Sequence, residues 1–324
     1  MKKVLVTGSA GFIGARVSEM LLEEGYQVIG ADNLNDYYDV NLKLWRLEKL
    51  KKHRNFIFYK ISIESYNELE TIFQENCLEG VINLAARAGV RYSLKNPSAY
   101  LNTNSGGNLN LLELCRKYEV FKFVLASTSS LYAGQKMPFL ENLPVNMPIS
   151  PYAASKKSAE MMAYTYHYLY GIDVSILRYF TVYGPAGRPD MATFRFIKWM
   201  IENKPLEVYG DGFQKRDFTY VDDIADGTVK SLKSVGYEII NLGNNHPYKL
   251  SDAIELMENH IGKKTHFKYK EFQKADMQTT WADISKAKKI LSWQPCVELN
   301  EGLKRTIDWT ISNWSWIQKI KCGM

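Results

Sequence analysis

Cysteine is scarce. Cys77, Cys115, Cys296 and Cys322 are the only four in 324 residues, and none stands in a C-x-x-C pair. No secretory leader precedes the first strand, so the expectation is reduced packing thiols in a cytoplasmic protein, with no disulfide scaffold. The five histidines join those cysteines in no ligand-spaced cluster, which argues against a metal. No apolar run approaches the ~18 residues a membrane span needs, so no membrane partner is expected. Neither sign of charge dominates: 41 Lys and Arg against 35 Asp and Glu leave +6. The basic residues gather only at KLKKHR (49–54) and KIK (319–321), without interleaved aromatics. That excludes nucleic acid as the expected partner and leaves a mild attraction for anionic small molecules.

What remains is an ordinary globular composition, 46% apolar and 23% charged, able to bury a large core. Short apolar runs alternate with helical patterns through the first half: VLVTG (4–8), a helix over 12–24, QVIGAD (27–32), FIFYKI (56–61) and a helix over 66–76. GVINLAA (80–86), a helix over 98–118, KFVLAST (122–128), a helix over 152–170 and DVSILRYF (173–180) follow. Continuously apolar strands separated by crossover helices predict an α/β fold, a Rossmann-type doubly wound parallel sheet covered on both faces. Past residue 180 the pattern loosens, with helices expected over 192–203, 222–234, 250–261, 284–291 and 299–314. This predicts a first domain over 1–179 and a smaller C-terminal α/β substrate-binding domain over 180–324. Segments such as 215–243, including the strand-like YEIINLG (237–243), are expected to pack with the first.

Gly8, Gly11 and Gly14 follow the first strand and open a helix. Glycine at this spacing permits a tight turn, and the helix start offers unpaired N–H groups to a pyrophosphate. Asp32 ends the second strand 18 residues later, where a carboxylate can accept both ribose hydroxyls. An anion there disfavours a 2′-phosphate, and Asn33, Leu34 and Asn35 bring no arginine. The expected cofactor is NAD.

Tyr152 and Lys156 stand four apart, on one helical face. Tyrosine ordinarily titrates near 10, so a base role near neutrality needs a shift of roughly 3 units. An adjacent ammonium and a cationic nicotinamide are neighbours of the kind that supply it. Ser127, Thr128, Ser129 and Ser130 place hydroxyls at a parallel strand's C-terminal end, where such sheets bind ligands, but spacing does not separate them.

VTGSAGFIG (6–14), INLAARAGVRYS (82–93), PYAASK (151–156), LRYFTVYGP (177–185) and RDFTYVDD (216–223) resemble the extended short-chain dehydrogenase/reductase family, in its nucleotide-sugar epimerase branch. DNLNDYYDVNLK (32–43) and RYFTVYGPAGRPDMA (178–192) are most similar to the UDP-glucuronate 4-epimerases. The resemblance selects Thr128 as the catalytic hydroxyl, Tyr152 as the base and Lys156 as its orienting partner. It implies NAD contacts from Gly8, Gly11, Phe12, Ile13, Gly14, Asp32, Asn33, Leu84, Ala85, Ala86, Tyr152, Lys156 and Tyr179. For a UDP-sugar substrate it implies Arg91, Thr128, Tyr152, Thr181, Arg188, Arg216 and Asp276. It also implies a homodimer through the helix that carries Tyr152.

Ser62, Asn83 and Ala133 depart from the family pattern without touching this chemistry. Ser129-Ser130 stand where related dehydratases carry Asp-Glu and related decarboxylases a Glu at 130, so loss of water or carbon dioxide is not expected. The reading is C4 epimerisation of UDP-glucuronate to UDP-galacturonate. A UDP-hexose or UDP-N-acetylhexosamine epimerase, and an inactive NAD-binding regulator, are the alternatives.

Overall fold

The computed structural model describes residues 2–322. Seven strands form one parallel sheet: β1 (Lys3–Thr7), β2 (Gln27–Ala31), β3 (Phe56–Tyr59), β4 (Gly80–Asn83), β5 (Lys122–Thr128), β6 (Asp173–Tyr179) and, far along the chain, β10 (Tyr237–Leu242). Their order is β10-β6-β5-β4-β1-β2-β3. The pleat sorts their side chains into two cores. Val4, Val6, Val28, Ile82 and Val124 face one layer of helices. Leu5, Ile29, Val81, Phe123 and Leu125 face the other. Strands apolar on both sides are stable only when covered on both sides, which gives the doubly wound fold.

Three further strands, β7 (Thr181–Tyr183), β9 (Lys215–Tyr220) and β11 (Pro247–Lys249), make a second sheet, and β8 (Leu206–Tyr209) pairs with β12 (Phe267–Lys270). These pack with the helices Ala192–Ile201, Leu250–Ile261 and Leu299–Ser312 into a smaller core. The chain does not stay there. The helix Val221–Lys230 lies on Phe12–Glu23, joined by Arg16 to Asp222 at 2.8 Å, and β10 pairs with β6. Ile284, Ala287, Leu291 and Trp293 also bury in the first core.

Two departures from the sequence reading bear on the site. The helix Val40–Leu50, capped by Asp39, occupies a stretch in which no helix was expected. The stretch 98–118 is not one helix: Pro97–Tyr100 leads into a wider π-turn, Leu101–Gly107, before Asn108–Lys117. A Cβ on Gly107 would meet Ile63 at 2.6 Å, so glycine lets this turn approach the loop after β3. No helix among the described residues is long and apolar enough to cross a membrane.

Candidate active site

The C-terminal ends of β1, β2, β4, β5 and β6 open on one cavity of about 910 Å³, closed opposite by the smaller body. That is the upper end for small-molecule sites. Every residue expected from the sequence to serve catalysis, cofactor or substrate lines it.

At one end lies the glycine loop. Gly8 has φ +68°, and a Cβ there would stand 2.8 Å from the Ala85 nitrogen. A Cβ on Gly14 would fall 2.1 Å from the Gly8 carbonyl oxygen. Only glycine permits so tight a winding. Gly11 caps Phe12–Glu23 without a side-chain acceptor and no acid occupies the first turn, so the helix start keeps its affinity for an anion. Asp32 accepts from the Ala10 and Leu34 N–H groups at 3.2 and 2.8 Å. The cation missing from 33–35 arrives from elsewhere: Lys43 on Val40–Leu50 stands 3.7 Å from the Asp32 carboxylate, both side chains buried. These features fit a dinucleotide, with pyrophosphate at the helix start and ribose at Asp32.

The hydroxyl run separates by partner. Ser127 donates to Glu160 at 2.6 Å, inside a buried pair in which Arg178 grips Glu160 at 2.9 and 2.8 Å. Thr128 caps the short turn Ser129–Tyr132 and reaches the Tyr152 phenol. Tyr152 and Lys156 both face the cavity from Pro151–Tyr170, a helix started by Ser150 and Pro151. The lysine, however, turns its ammonium to the Ala126 carbonyl at 2.9 Å. No hydrogen bond joins that ammonium to the Tyr152 phenol among the described residues, although it keeps its charge while bonded to the carbonyl. Burial holds the phenol above its ordinary value, with Thr128 and the Arg188 charge pulling it back. Lys156 itself is pushed down to about 8 by burial, opposed by Glu160.

At the other end the arginines already have partners. Arg91 holds Asp276 at 3.1 and 2.6 Å and stacks on the Tyr209 ring at 3.7 Å. Two residues expected to meet substrate thus meet each other across the cleft. Arg188 holds Asp190 through two bonds and reaches the Ala88 carbonyl. Arg216 donates to the Lys215 and Gln278 carbonyls; burial lowers its pKa, and Asp276 counters that. Thr181 lines the wall from β7. Tyr179 lines it too, but its hydroxyl is paired with Thr228 at 2.8 Å.

Sequence reasoning missed Asn104, whose amide accepts the Arg87 N–H at 2.8 Å and donates to the Arg87 carbonyl and Ser155 hydroxyl. It also missed Arg46, which ties Ala10 in the glycine loop to Ala186 and Tyr38. A run of polar residues inside an expected helix, NTNSGG (102–107), was the available signal for the first.

Comparison with known proteins agrees with this geometry. The family described as GDP-mannose 4,6 dehydratase matches residues 5–306. A UDP-glucuronate 4-epimerase of Thermodesulfobacterium geofontis is 60% identical over 318 residues, 98% of each chain. The crystal structure of UDP-glucuronic acid 4-epimerase from Bacillus cereus, in complex with UDP-glucuronic acid and NAD, superposes with a TM-score of 0.91 at 38% identity, covering 96% of this chain and 99% of that one. UDP-glucose 4-epimerase of Thermotoga maritima with UDP-glucose gives 0.87 at 34% identity, covering 96% and 99%. Glycine loop, hydroxyl strand and Tyr/Lys helix thus sit in a chain that belongs to the extended short-chain dehydrogenase/reductase family, in the group described as GDP-mannose 4,6 dehydratase.

Proposed function

We propose that the protein is an NAD-dependent UDP-glucuronate 4-epimerase, forming UDP-galacturonate through a transient 4-keto sugar. The observation that carries this is the meeting of Thr128, Tyr152 and Lys156 with the glycine loop in one cavity, while Ser129 and Ser130 occupy the positions of a dehydratase's acids. Those hydroxyls supply no carboxyl to expel water, so the site is left with a reversible oxidation at one carbon. The 60% identical relative bears the same activity in its name.

NAD, held by the glycine loop and Asp32, would accept the C4 hydride and return it, and its cationic ring would add to the Lys156 ammonium in favouring the Tyr152 phenolate. Tyr152 takes the proton from the sugar's 4-hydroxyl as the carbonyl forms and gives it back when the other face is reduced. Thr128 donates to the phenol oxygen and steadies the phenolate. Lys156, anchored on the Ala126 carbonyl, keeps a second cation near the ribose. Arg188 and Arg216 orient the nucleotide and diphosphate; Arg91 and Asp276 close over them.

A 4-keto uronate is a β-keto acid and sheds carbon dioxide when the bond to its carboxylate stands perpendicular to the carbonyl plane and overlaps the carbonyl π system. Ser127 and Ser93 are engaged elsewhere, with Glu160 and the Val90 carbonyl. With Thr128 donating to the phenol, Ser129 and Ser130 are the hydroxyls left to hold that carboxylate aside. We further propose a homodimer through Pro151–Tyr170, where Met161, Tyr168 and Leu169 are 60, 76 and 58% exposed, and a cytoplasmic location, in keeping with four free thiols.

The test is to incubate the protein with UDP-glucuronate and separate the products. UDP-galacturonate is expected, without accumulation of NADH or a UDP-pentose. Turnover of UDP-glucose with UDP-glucuronate untouched would overturn the substrate assignment. Sedimentation of the parent and of Tyr168→Asp tests the dimer, which that charge should split.

A further inference from the structure

The cavity wall past the glycine loop carries more positive charge than its own acids neutralise. Lys43, Arg87 and Arg188 line it beside Asp32 and Asp190, with Arg46 just behind. Three of these cations are accounted for. Arg46 spends its guanidinium on the Ala10 and Ala186 carbonyls and the Tyr38 hydroxyl. Arg188 is bidentate on Asp190. Lys43 donates to Asn35 at 3.1 Å and stands 3.7 Å from Asp32. Arg87 differs. Its Nε is buried with no hydrogen-bond partner among the described residues, and the guanidinium lies 5.4 Å from the centroid of the Tyr37 ring.

Arg87 is not loose. Asn104 holds both its backbone N–H and its carbonyl, and Asn104 is tied in turn to Ser155, one residue before Lys156. With its backbone so fixed, a buried Nε–H without an acceptor is costly unless a ligand brings one. We propose that Arg87, with Lys43 beside it, is a cationic clamp for a diphosphate, the pyrophosphate of the dinucleotide. Two diphosphates are to be expected in such a site, the dinucleotide's and the sugar nucleotide's.

Position favours the first. Arg87 follows by two residues Ala85, the residue that packs against Gly8, and the Lys43 ammonium comes from Val40–Leu50 to within 3.7 Å of Asp32 past the end of β2. Arg216 and the Arg91–Asp276 pair serve the opposite end. The helix start would grip one side of the pyrophosphate by N–H groups and the guanidinium fork another by charge-assisted bonds. Burial and the charges of Arg46, Arg87 and Arg188 lower the Lys43 pKa despite Asp32; a dianion would relieve that crowding.

The clamp rests on the dinucleotide reading of the glycine loop and is tested without turnover. Calorimetry on NAD-stripped protein gives Kd for NAD, and on NAD-loaded protein Kd for UDP. Arg87→Gln should weaken NAD by about 10- to 100-fold, the loss of a charge-assisted bond, and leave UDP within about twofold. Arg87→Lys should recover part. Unchanged NAD affinity overturns the clamp, and a loss confined to UDP reassigns the arginine to the other diphosphate and overturns it equally. Should Arg87→Gln fail to give a parent-like melting curve, Lys43→Met carries the same comparison, with the same outcomes. A parent protein that binds no NAD would instead refute the underlying assignment of the loop.

Discussion

The two ends of the cleft hold their charges in opposite ways. Around Tyr152 every ionic group is locked from behind: Lys156 on a backbone carbonyl, Glu160 and Arg178 on each other at 1% exposure apiece. Toward the smaller body, Arg91 and Asp276 remain 40 and 18% exposed and span two parts of the fold. The first arrangement preorganises a proton transfer, because nothing need move when charge develops. The second leaves charges that can change partners as a nucleotide sugar enters.

Four substitutions break or sharpen that contrast. Tyr152→Phe should lower kcat by at least about 10²-fold while NAD and UDP binding stay near the parent's. Near-normal turnover would remove the tyrosine from the chemistry. Arg178→Met leaves the buried Glu160 carboxylate with only the Ser127 hydroxyl and the Lys157 ammonium at 3.6 Å and should cost about 3 kcal/mol in denaturant melts. A cost below about 1 kcal/mol would mean the pair behind Ser127 is not locked at all.

Lys156 gives a pH signature. Its pKa falls from an ordinary 10.5 to about 8 on folding, mainly by burial. Below pH 8 the folded chain carries a penalised ammonium. Between about 8 and 10.5 the unfolded chain holds a proton that the folded one has released, so stability rises with pH. Parent and Lys156→Met should therefore converge or cross across that window, by up to about 3 kcal/mol, in denaturant titrations of NAD-free protein. Parallel curves would place the lysine in a wetter setting than the structure does.

The smallest effect belongs to the opposite end. Arg91→Ala should change stability by less than about 1 kcal/mol, since the pair is partly exposed. Its mark is a raised KM for the sugar nucleotide with kcat largely kept. A fall in kcat alone would make Arg91 part of the preorganised end.

The doubly wound sheet was legible because alternate residues of each strand are apolar on both faces, and the glycine loop because its steric demand admits no other residue. Val40–Leu50 was not, for a physical reason: its inward face is Leu42, Lys43, Arg46, Leu47 and Leu50. Two buried cations interrupt the apolar period at the positions that serve the cavity, so the stretch looks like a charged surface. Tyr152 and Lys156 were placed on one face correctly, but helical spacing says nothing about which carbonyl an ammonium chooses. Arg91 and Asp276 lie 185 positions apart, and no local pattern announces such a pairing. The wide turn at 101–107 escaped because an extra residue per turn leaves the neighbouring helical periods intact.

The late return of β10 to the edge of β6 also limits how this chain can be divided. A fragment ending near residue 180 would leave six strands with the rim of β6 bare, its N–H and carbonyl groups open to any passing strand. Such a fragment would be a seed for aggregation, and a ribosome that has made the first half has not yet made a protein able to stand alone.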